Sequence, residues 1–307
     1  VLLDRDATAK KAVDAIRDAA SQAASLVAFG ETFLPAYPVW LSRTDGARFD
    51  TDDQKELHAL YLDQAVSIER GQLDPIIGAA RENNIWVVIG IAERPCDRAG
   101  HTIYASAVTV SPTAGVVSVH RKLMPTYEER LAWGVGDAHG LVAHDLESGD
   151  HHFRLGSLNC WENWMPLPRA ALQAQGVTLH VATWPGDVVN THDITRYIAR
   201  ESRAYVLSAS SVIRASDIPP SVPHRDRIVT DESATLHNGG SAAANPDGTW
   251  LLEPQADTEG IFVVDLDPAF VRRERQNFDP SGHYSRPELL SLSVDRRRHT
   301  TARFRDD

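Results

Sequence analysis

The sequence predicts an α/β protein, a layered sandwich built around mixed sheets. Three observations carry that prediction. Helical patterns and short apolar strands alternate along the 307 residues, the arrangement that helices stacked on sheets produce. One strand, "IWVVIGIAE" (85–93), is almost wholly apolar, as a strand covered on both faces would be. Hairpin patterns interrupt the alternation, with "TIYASAVTV" and "GVVSVHRK" flanking the turn "SPTAG", so antiparallel pairs are expected beside parallel ones.

The elements come in this order. "DATAKKAVDAIRDAASQAA" sets Val13, Ile16 and Ala20 at helical spacing, with Asp6 or Thr8 as its cap. "SLVAF" (25–29) is a short buried strand that stops at the Gly- and Pro-punctuated loop "GETFLPAYP". A helix over 52–69 places Leu57, Leu60, Tyr61 and Ala65 on one face, and "QLDPIIGAAREN" is another, with Pro75 in its first turn. Beyond the hairpin come the strand "FRLGSLNC", the helix "PLPRAALQAQG" closed by Gly176, and the strand "TLHVATWP". "DITRYIARESRAYV" lines up Ile194, Tyr197, Ile198 and Tyr205 on one helix face. "YVLSASSV", "GGSAAANPDGTWLLE" and "GIFVVDLD" supply further strands, with "PDG" as a hairpin turn. No internal repeat, low-complexity segment or linker stands out, so a single domain over 1–307 is expected.

The totals narrow the function. Hydrophobic residues make up 42% of the chain, enough for a sizeable core, and the net charge is -11. That balance argues against nucleic acid or an anionic membrane as partner, because both need clustered positive charge. The one basic cluster, Arg296 to His299, reads as a solvated tail. Two cysteines, Cys96 and Cys160, make neither a disulfide framework nor a paired-cysteine zinc site. A reducing, cytoplasmic setting is the expectation. There is no run of about 18 apolar residues and no charged-then-apolar leader, so neither a membrane span nor a signal peptide is expected. "GVGDAHG" (134–140) follows no strand and is a loop, not a nucleotide cradle. "HH" at 151–152 is placed in the turn "SGDHH", and Cys96 in a loop without a partner.

Several strands end in loops that carry reactive side chains, which is where a rigid scaffold presents catalytic groups. Glu31 follows "LVAF", Lys122 follows "VVSVHR", Glu129 stands seven residues after Lys122, and Cys160 ends "RLGSLN". A cysteine attacks as its thiolate, so a neighbour must remove or stabilise its proton. A carboxylate in a partly dry pocket can be that base, since burial raises its pKa toward neutrality. A lysine ammonium favours the thiolate and negative charge developing on a substrate. The turn after Cys160 aims free backbone N–H groups, such as that of Trp161, at the same place. Taken alone, each of these residue types more often has an ordinary structural or solvated role, and no periodicity rule joins positions 31, 122 and 160.

The segments in this order resemble the nitrilase branch of the carbon–nitrogen hydrolase superfamily. "FGETFLPAYP" is similar to its first glutamate motif, "HRKLMPTYEER" to its lysine motif with the second glutamate, and "NCWEN" to its nucleophile motif. Trp161 after the cysteine is more typical of nitrilases than of the amidase branches. "HVATWP" and "DPSGHYSRPE" resemble two further segments. The resemblance implies an α-β-β-α sandwich with mixed sheets. It implies Cys160 as nucleophile, Glu31 as general base, Lys122 as stabiliser of the tetrahedral intermediate, and Glu129 as a second acid/base or positioning carboxylate. It implies no metal and no organic cofactor, a small-molecule nitrile as substrate, and self-association into dimers and spiral oligomers. The C-terminal segment, about 275–307 with His283 and Tyr284, would then contact a partner subunit. Tyr37, Trp161 and Trp184 are expected to line the substrate pocket, with Trp164 a weaker candidate. An amidase or carbamoylase would use the same four residues, and a non-catalytic scaffold would keep the fold alone.

Two departures from the family pattern stand out. The chain opens with "VLLDRDAT", which corresponds to the segment after the family's usual first strand, so that strand is expected to be missing and a sheet edge exposed. Gly30 stands where many relatives carry Pro, and is expected to add backbone freedom. A specific role for Glu162 does not follow from the sequence.

Overall fold

The computed structural model describes residues 2–302 and Arg305. Val1 and residues 303, 304, 306 and 307, the outermost parts of the opening and closing segments considered above, lie outside the described residues. The helices are α1 (Arg5–Ser21), α2 (Trp40–Arg43), α3 (Asp52–Gln64), α4 (Asp74–Glu82), α5 (Pro166–Gln173), α6 (Val188–Ser202), α7 (Arg225–Ile228) and α8 (Pro268–Glu274). The strands are β1 (Leu26–Ala28), β2 (Trp86–Glu93), β3 (Tyr104–Ser111), β4 (Gly115–Arg121), β5 (His144–Ser148), β6 (His151–Asn159), β7 (Leu179–Trp184), β8 (Tyr205–Ser210), β9 (Val212–Arg214), β10 (Thr235–Ala244) and β11 (Trp250–Ala256).

Two mixed sheets result. The first runs β1-β2-β3-β4, parallel between β1 and β2 and antiparallel thereafter. The second runs β11-β10-β8-β7-β6-β5, with β9 also paired to β10, and its parallel core is β6-β7-β8. Strand alternation then sorts the layers. Val87, Ile89 and Ile91 of β2 pack outward on Ile16 of α1 and Ile76 of α4. Val88 points the other way, onto Leu155, Leu179 and Val181 of the second sheet. On the far side, Leu158 meets Leu172 of α5, and Ala182 meets Ile194 and Ile198 of α6. The order is helix, sheet, sheet, helix. Fully burying a side chain such as Ile16 contributes about 1.5–3 kcal/mol. Among the described residues, no helix is long and apolar enough to cross a membrane.

The structure corrects several local expectations. The cap of α1 is Asp4, whose extended backbone lets its Oδ1 accept the Ala7 N–H at 3.0 Å, while Asp6 already lies in the first turn. The helix expected over 52–69 stops at Gln64 because Ala65 turns extended (φ -65, ψ 154). Val66 then pairs with the end of β2, its N–H donating to Ala92 O at 2.7 Å. "GIFVVDLD" forms no strand: Ile261 and Leu266 pack against two different core clusters without joining a ladder. His151 and His152 belong to β6 and not to a turn. The basic cluster is not simply solvated, since Arg298 donates to Asp137 Oδ1 at 3.1 Å and to Val119 O at 3.2 Å.

Candidate active site

Four strand ends converge. Glu31 follows β1, and its N–H donates to Trp184 O at the end of β7 at 2.9 Å, so the loop bridges the two sheets. Glycines make this approach possible. A Cβ on Gly90, in the middle of β2, would lie 2.3 Å from Gly30 O, 2.4 Å from Thr32 N and 2.7 Å from Glu31 Cα. Gly30 is needed for space and not for backbone freedom: its φ is not left-handed, and its Cβ would meet Ser211 Oγ at 2.4 Å. Lys122 continues β4, its N–H donating to Ala105 O at 2.8 Å. The chain then enters a single tight turn, Tyr127–Leu131, capped by Thr126. Glu129 sits at its third position, where its Oε2 accepts the Thr126 N–H at 2.6 Å. That turn is why a spacing of seven residues brings Glu129 back to Lys122.

Cys160 stands at the step from β6 into the turn Cys160–Trp164, with φ +47. A non-glycine residue in this region costs of order 1–3 kcal/mol, which the surroundings must offset. Asn163 does part of this, its Nδ2 donating to Cys160 O at 2.9 Å while its Oδ1 is bonded to His180 Nε2 at 2.7 Å. Asn163 and Gly90 went unread in the sequence. A glycine inside an otherwise apolar strand was the available signal for a close backbone approach.

The four side chains meet in a buried centre. Lys122 Nζ lies 2.8 Å from Glu31 Oε1 and 2.6 Å from Glu129 Oε2. The Cys160 sulfur and an oxygen of each carboxylate lie within 4.8 Å of one another. All four residues are buried, Lys122 completely. Tyr37 Oη donates to Glu129 Oε1 at 2.9 Å. Glu31, Glu129 and Cys160 form a donor set that could hold a metal ion, but the Lys122 ammonium already stands between the two carboxylates as their cation.

Burial sets the protonation. It pushes the Glu31 carboxyl from its ordinary 4.5 up to about 8, against the pull of the Lys122 charge. Burial also drives the Cys160 thiol well above its usual range, helped by the Glu31 charge and opposed by Lys122 and by the Trp161 backbone N–H. For Lys122, burial favours the neutral amine, yet the negative charge of Cys160, Glu31 and Glu129 outweighs it and keeps the ammonium. A carboxyl poised near neutrality beside a thiol and a fixed cation can take a proton and return it.

An open cleft of about 260 Å³ reaches this centre, lined by Tyr37, Glu129, Cys160, Trp161, Pro185 and His237 among others. Of the expected pocket residues, Tyr37 and Trp161 are there, Trp161 half exposed at 52%. Trp164 is exposed and does not line the cleft. Trp184 does not either: it shares the strand face of Ala182, toward α6, fully buried with its indole N–H on Ser208 Oγ at 3.2 Å. Its backbone carbonyl accepts the Glu31 N–H, and its side chain belongs to the same buried cluster as Cys160. His237 was not foreseen; its ring centre lies 5.2 Å from that of Tyr37, tilted by 46°, and its Nδ1 lies 3.0 Å from Pro185 O.

Known proteins match nearly the whole of this chain. Residues 1–276 match the sequence profile of the family described as "Carbon-nitrogen hydrolase". The chain is 34% identical over 299 residues to an aliphatic nitrilase of Sinorhizobium fredii (strain HH103), covering 95% of this chain and 91% of that protein. It is 34% identical to nitrilase 2 of Arabidopsis thaliana, with 95% and 85% covered. Among solved structures it resembles Saccharomyces cerevisiae Nit3, a member of branch 10 of the nitrilase superfamily, with a TM-score of 0.67, 16% identity, and 92% and 91% covered. It also resembles an amidase from Nesterenkonia sp., with a TM-score of 0.61, 19% identity, and 90% of each chain covered. These two likenesses speak for the α-β-β-α fold. From its fold, its sequence profile and its relatives, the chain belongs to the carbon–nitrogen hydrolase family.

Proposed function

We propose that this protein is a nitrilase that hydrolyses a small nitrile to the carboxylic acid and ammonia, with Cys160 as nucleophile. The observation that carries this reading is the meeting of the Cys160 thiol with two buried carboxylates around one buried ammonium. The nitrilase names of relatives matching nearly the whole chain support nitriles as the substrate class.

Glu31 takes the thiol proton, and the thiolate attacks the nitrile carbon to form a C–S bond. Glu31 passes that proton to the nitrile nitrogen, giving a thioimidate and restoring its own carboxylate. Water adds to that carbon as Glu31 accepts its proton. Glu31 returns that proton to the nitrogen, Lys122 stabilises the tetrahedral intermediate, and the C–N bond breaks as the hydroxyl proton passes through Glu129 to the nitrogen, which leaves as ammonia. A second water hydrolyses the remaining thioester, and Cys160 recovers its proton. Splitting one hydrolysis into two additions lowers each barrier. Glu129, held by Tyr37 and Thr126, orients Lys122 and serves as the second proton carrier. Collapse of the tetrahedral intermediate with loss of the thiol would instead release an amide.

The same reading covers the rest of the molecule. The chain is one catalytic domain that works in the cytoplasm as a dimer or a longer spiral. The segment around 275–302 contacts a partner subunit, a role that the exposure of Tyr284, Leu289 and Leu290 supports. The test is ammonia release from aliphatic, aromatic and arylacetonitrile substrates beside the matching amides, with Cys160→Ala as control. Nitrile turnover that vanishes in the variant is the expected result. Turnover of amides alone would replace nitrilase with amidase.

A further inference from the structure

Glu162 is a fully buried carboxylate, two residues from the nucleophile, that the reaction above does not use. Its two oxygens are shared between groups from both sheets. Oε2 accepts the N–H of Asn159 at 2.8 Å, the residue just before Cys160 at the end of β6. Oε1 accepts the N–H of Leu123, the residue just after Lys122 at the end of β4. His120 Nε2 closes the third side at 3.0 and 3.2 Å. Asn159 Nδ2 adds a bond from the same turn to His120 O at 3.2 Å. One carboxylate therefore ties the backbone beside the catalytic ammonium to the backbone beside the catalytic sulfur.

We propose that Glu162 is a positioning residue that sets the separation between Lys122 and Cys160. The need for one is structural. The two groups come from different sheets, whose packing is apolar and non-directional, so side-chain contacts alone leave room for sliding between them. Hydrogen bonds to an ionised carboxylate are directional and strong. The two backbone N–H groups are donors only, so the clamp needs two acceptor oxygens. A carboxylate supplies both, whereas an amide supplies one and turns an NH2 toward the other donor. Glu162 stays ionised although burial opposes it, because His120 and the Leu123 and Asn159 N–H groups hold the charge. The inference rests on Lys122 and Cys160 being the reacting pair.

The experiment compares the wild type with Glu162→Gln and Glu162→Asp, each assayed well below its unfolding temperature. Three quantities are read: kcat and KM on the best nitrile, and the rate of alkylation of Cys160 by iodoacetamide. Misplacement of a reacting group by about 1 Å can cost on the order of 100-fold, so Glu162→Gln is expected to lose kcat on that scale with KM nearly unchanged. Its alkylation should slow as well, because Lys122 no longer favours the thiolate as strongly. Glu162→Asp keeps the charge and both acceptors on a shorter arm, and should fall between the other two. A purely structural role would lower the unfolding temperature alone. Wild-type kcat and alkylation in whichever variant folds would overturn the proposal, as would an aspartate variant poorer than the glutamine one. The alkylation arm needs no substrate, so a wild type silent on nitriles would count against the nitrilase reading without touching this one.

Discussion

Gly90→Ala tests how tightly the base is held. Adding one methyl group to β2 places a carbon 2.3 Å from Gly30 O, 2.4 Å from Thr32 N and 2.7 Å from Glu31 Cα. All three contacts are with backbone, so no flexible side chain can swing away. Ordinary contact begins near 3.4 Å, so the loop carrying Glu31 has to retreat by roughly 1 Å. Overpacking of this kind costs about 1–3 kcal/mol of stability. A shift of that size in a reacting group costs on the order of 100-fold in rate. The salt bridge from Glu31 Oε1 to Lys122 Nζ, now 2.8 Å, would lengthen with it. The assay is kcat on the best nitrile together with thermal unfolding, beside Gly78→Ala as a control. Gly78 lies inside α4 with nothing within 4 Å of its added carbon, and alanine there should stabilise by about 0.5–1 kcal/mol with no change in rate. A Gly90→Ala enzyme with wild-type kcat would refute the claim that close backbone packing places Glu31.

The remaining predictions concern the charges. Lys122→Ala removes the cation between two buried carboxylates; kcat should fall by at least about 100-fold, and the fold should lose about 3–5 kcal/mol, since a broken buried pair leaves uncompensated charge. Denaturant unfolding beside single-turnover kinetics separates the two losses, and a stable, active Lys122→Ala would remove Lys122 from the site. Glu31 has its pKa raised from 4.5 to about 8 in the folded protein. The folded state thus holds that proton more tightly than the unfolded chain does, so the stability it contributes is full below about pH 4.5 and is lost as pH rises toward 8. Glu31→Gln should accordingly lose less stability than the wild type between those limits, read as unfolding temperature against pH; parallel curves would contradict the burial argument.

Much of the architecture was legible because it is local. Helical and strand periodicities are properties of adjacent residues, so β2, the β3-β4 hairpin and the α/β alternation could be read directly. The failures came where a distant partner intervened: β2 captured Val66 and ended α3 early, and "GIFVVDLD" spent its apolar residues on packing without finding a ladder. Glu31, Lys122, Glu129 and Cys160 could be read as a set only through the resemblance of their segments to a family's motifs, because nothing in their spacing joins them.

The sequence by itself determined which reactive groups stand at strand ends, and the alternation that puts Trp184 on the same face as Ala182. Only the tertiary structure decided which of those faces looks at the site. It also decided that Glu31 lies over a glycine in β2, and that Asn163 and Glu162 brace the turn of the nucleophile. The physical reason is range. Backbone preference and hydrophobic patterning act over a few residues along the chain, whereas a cation 2.6–2.8 Å from two carboxylates depends on how two sheets seat on each other. That seating comes from summed apolar burial between segments far apart along the chain, a quantity no short window of sequence contains.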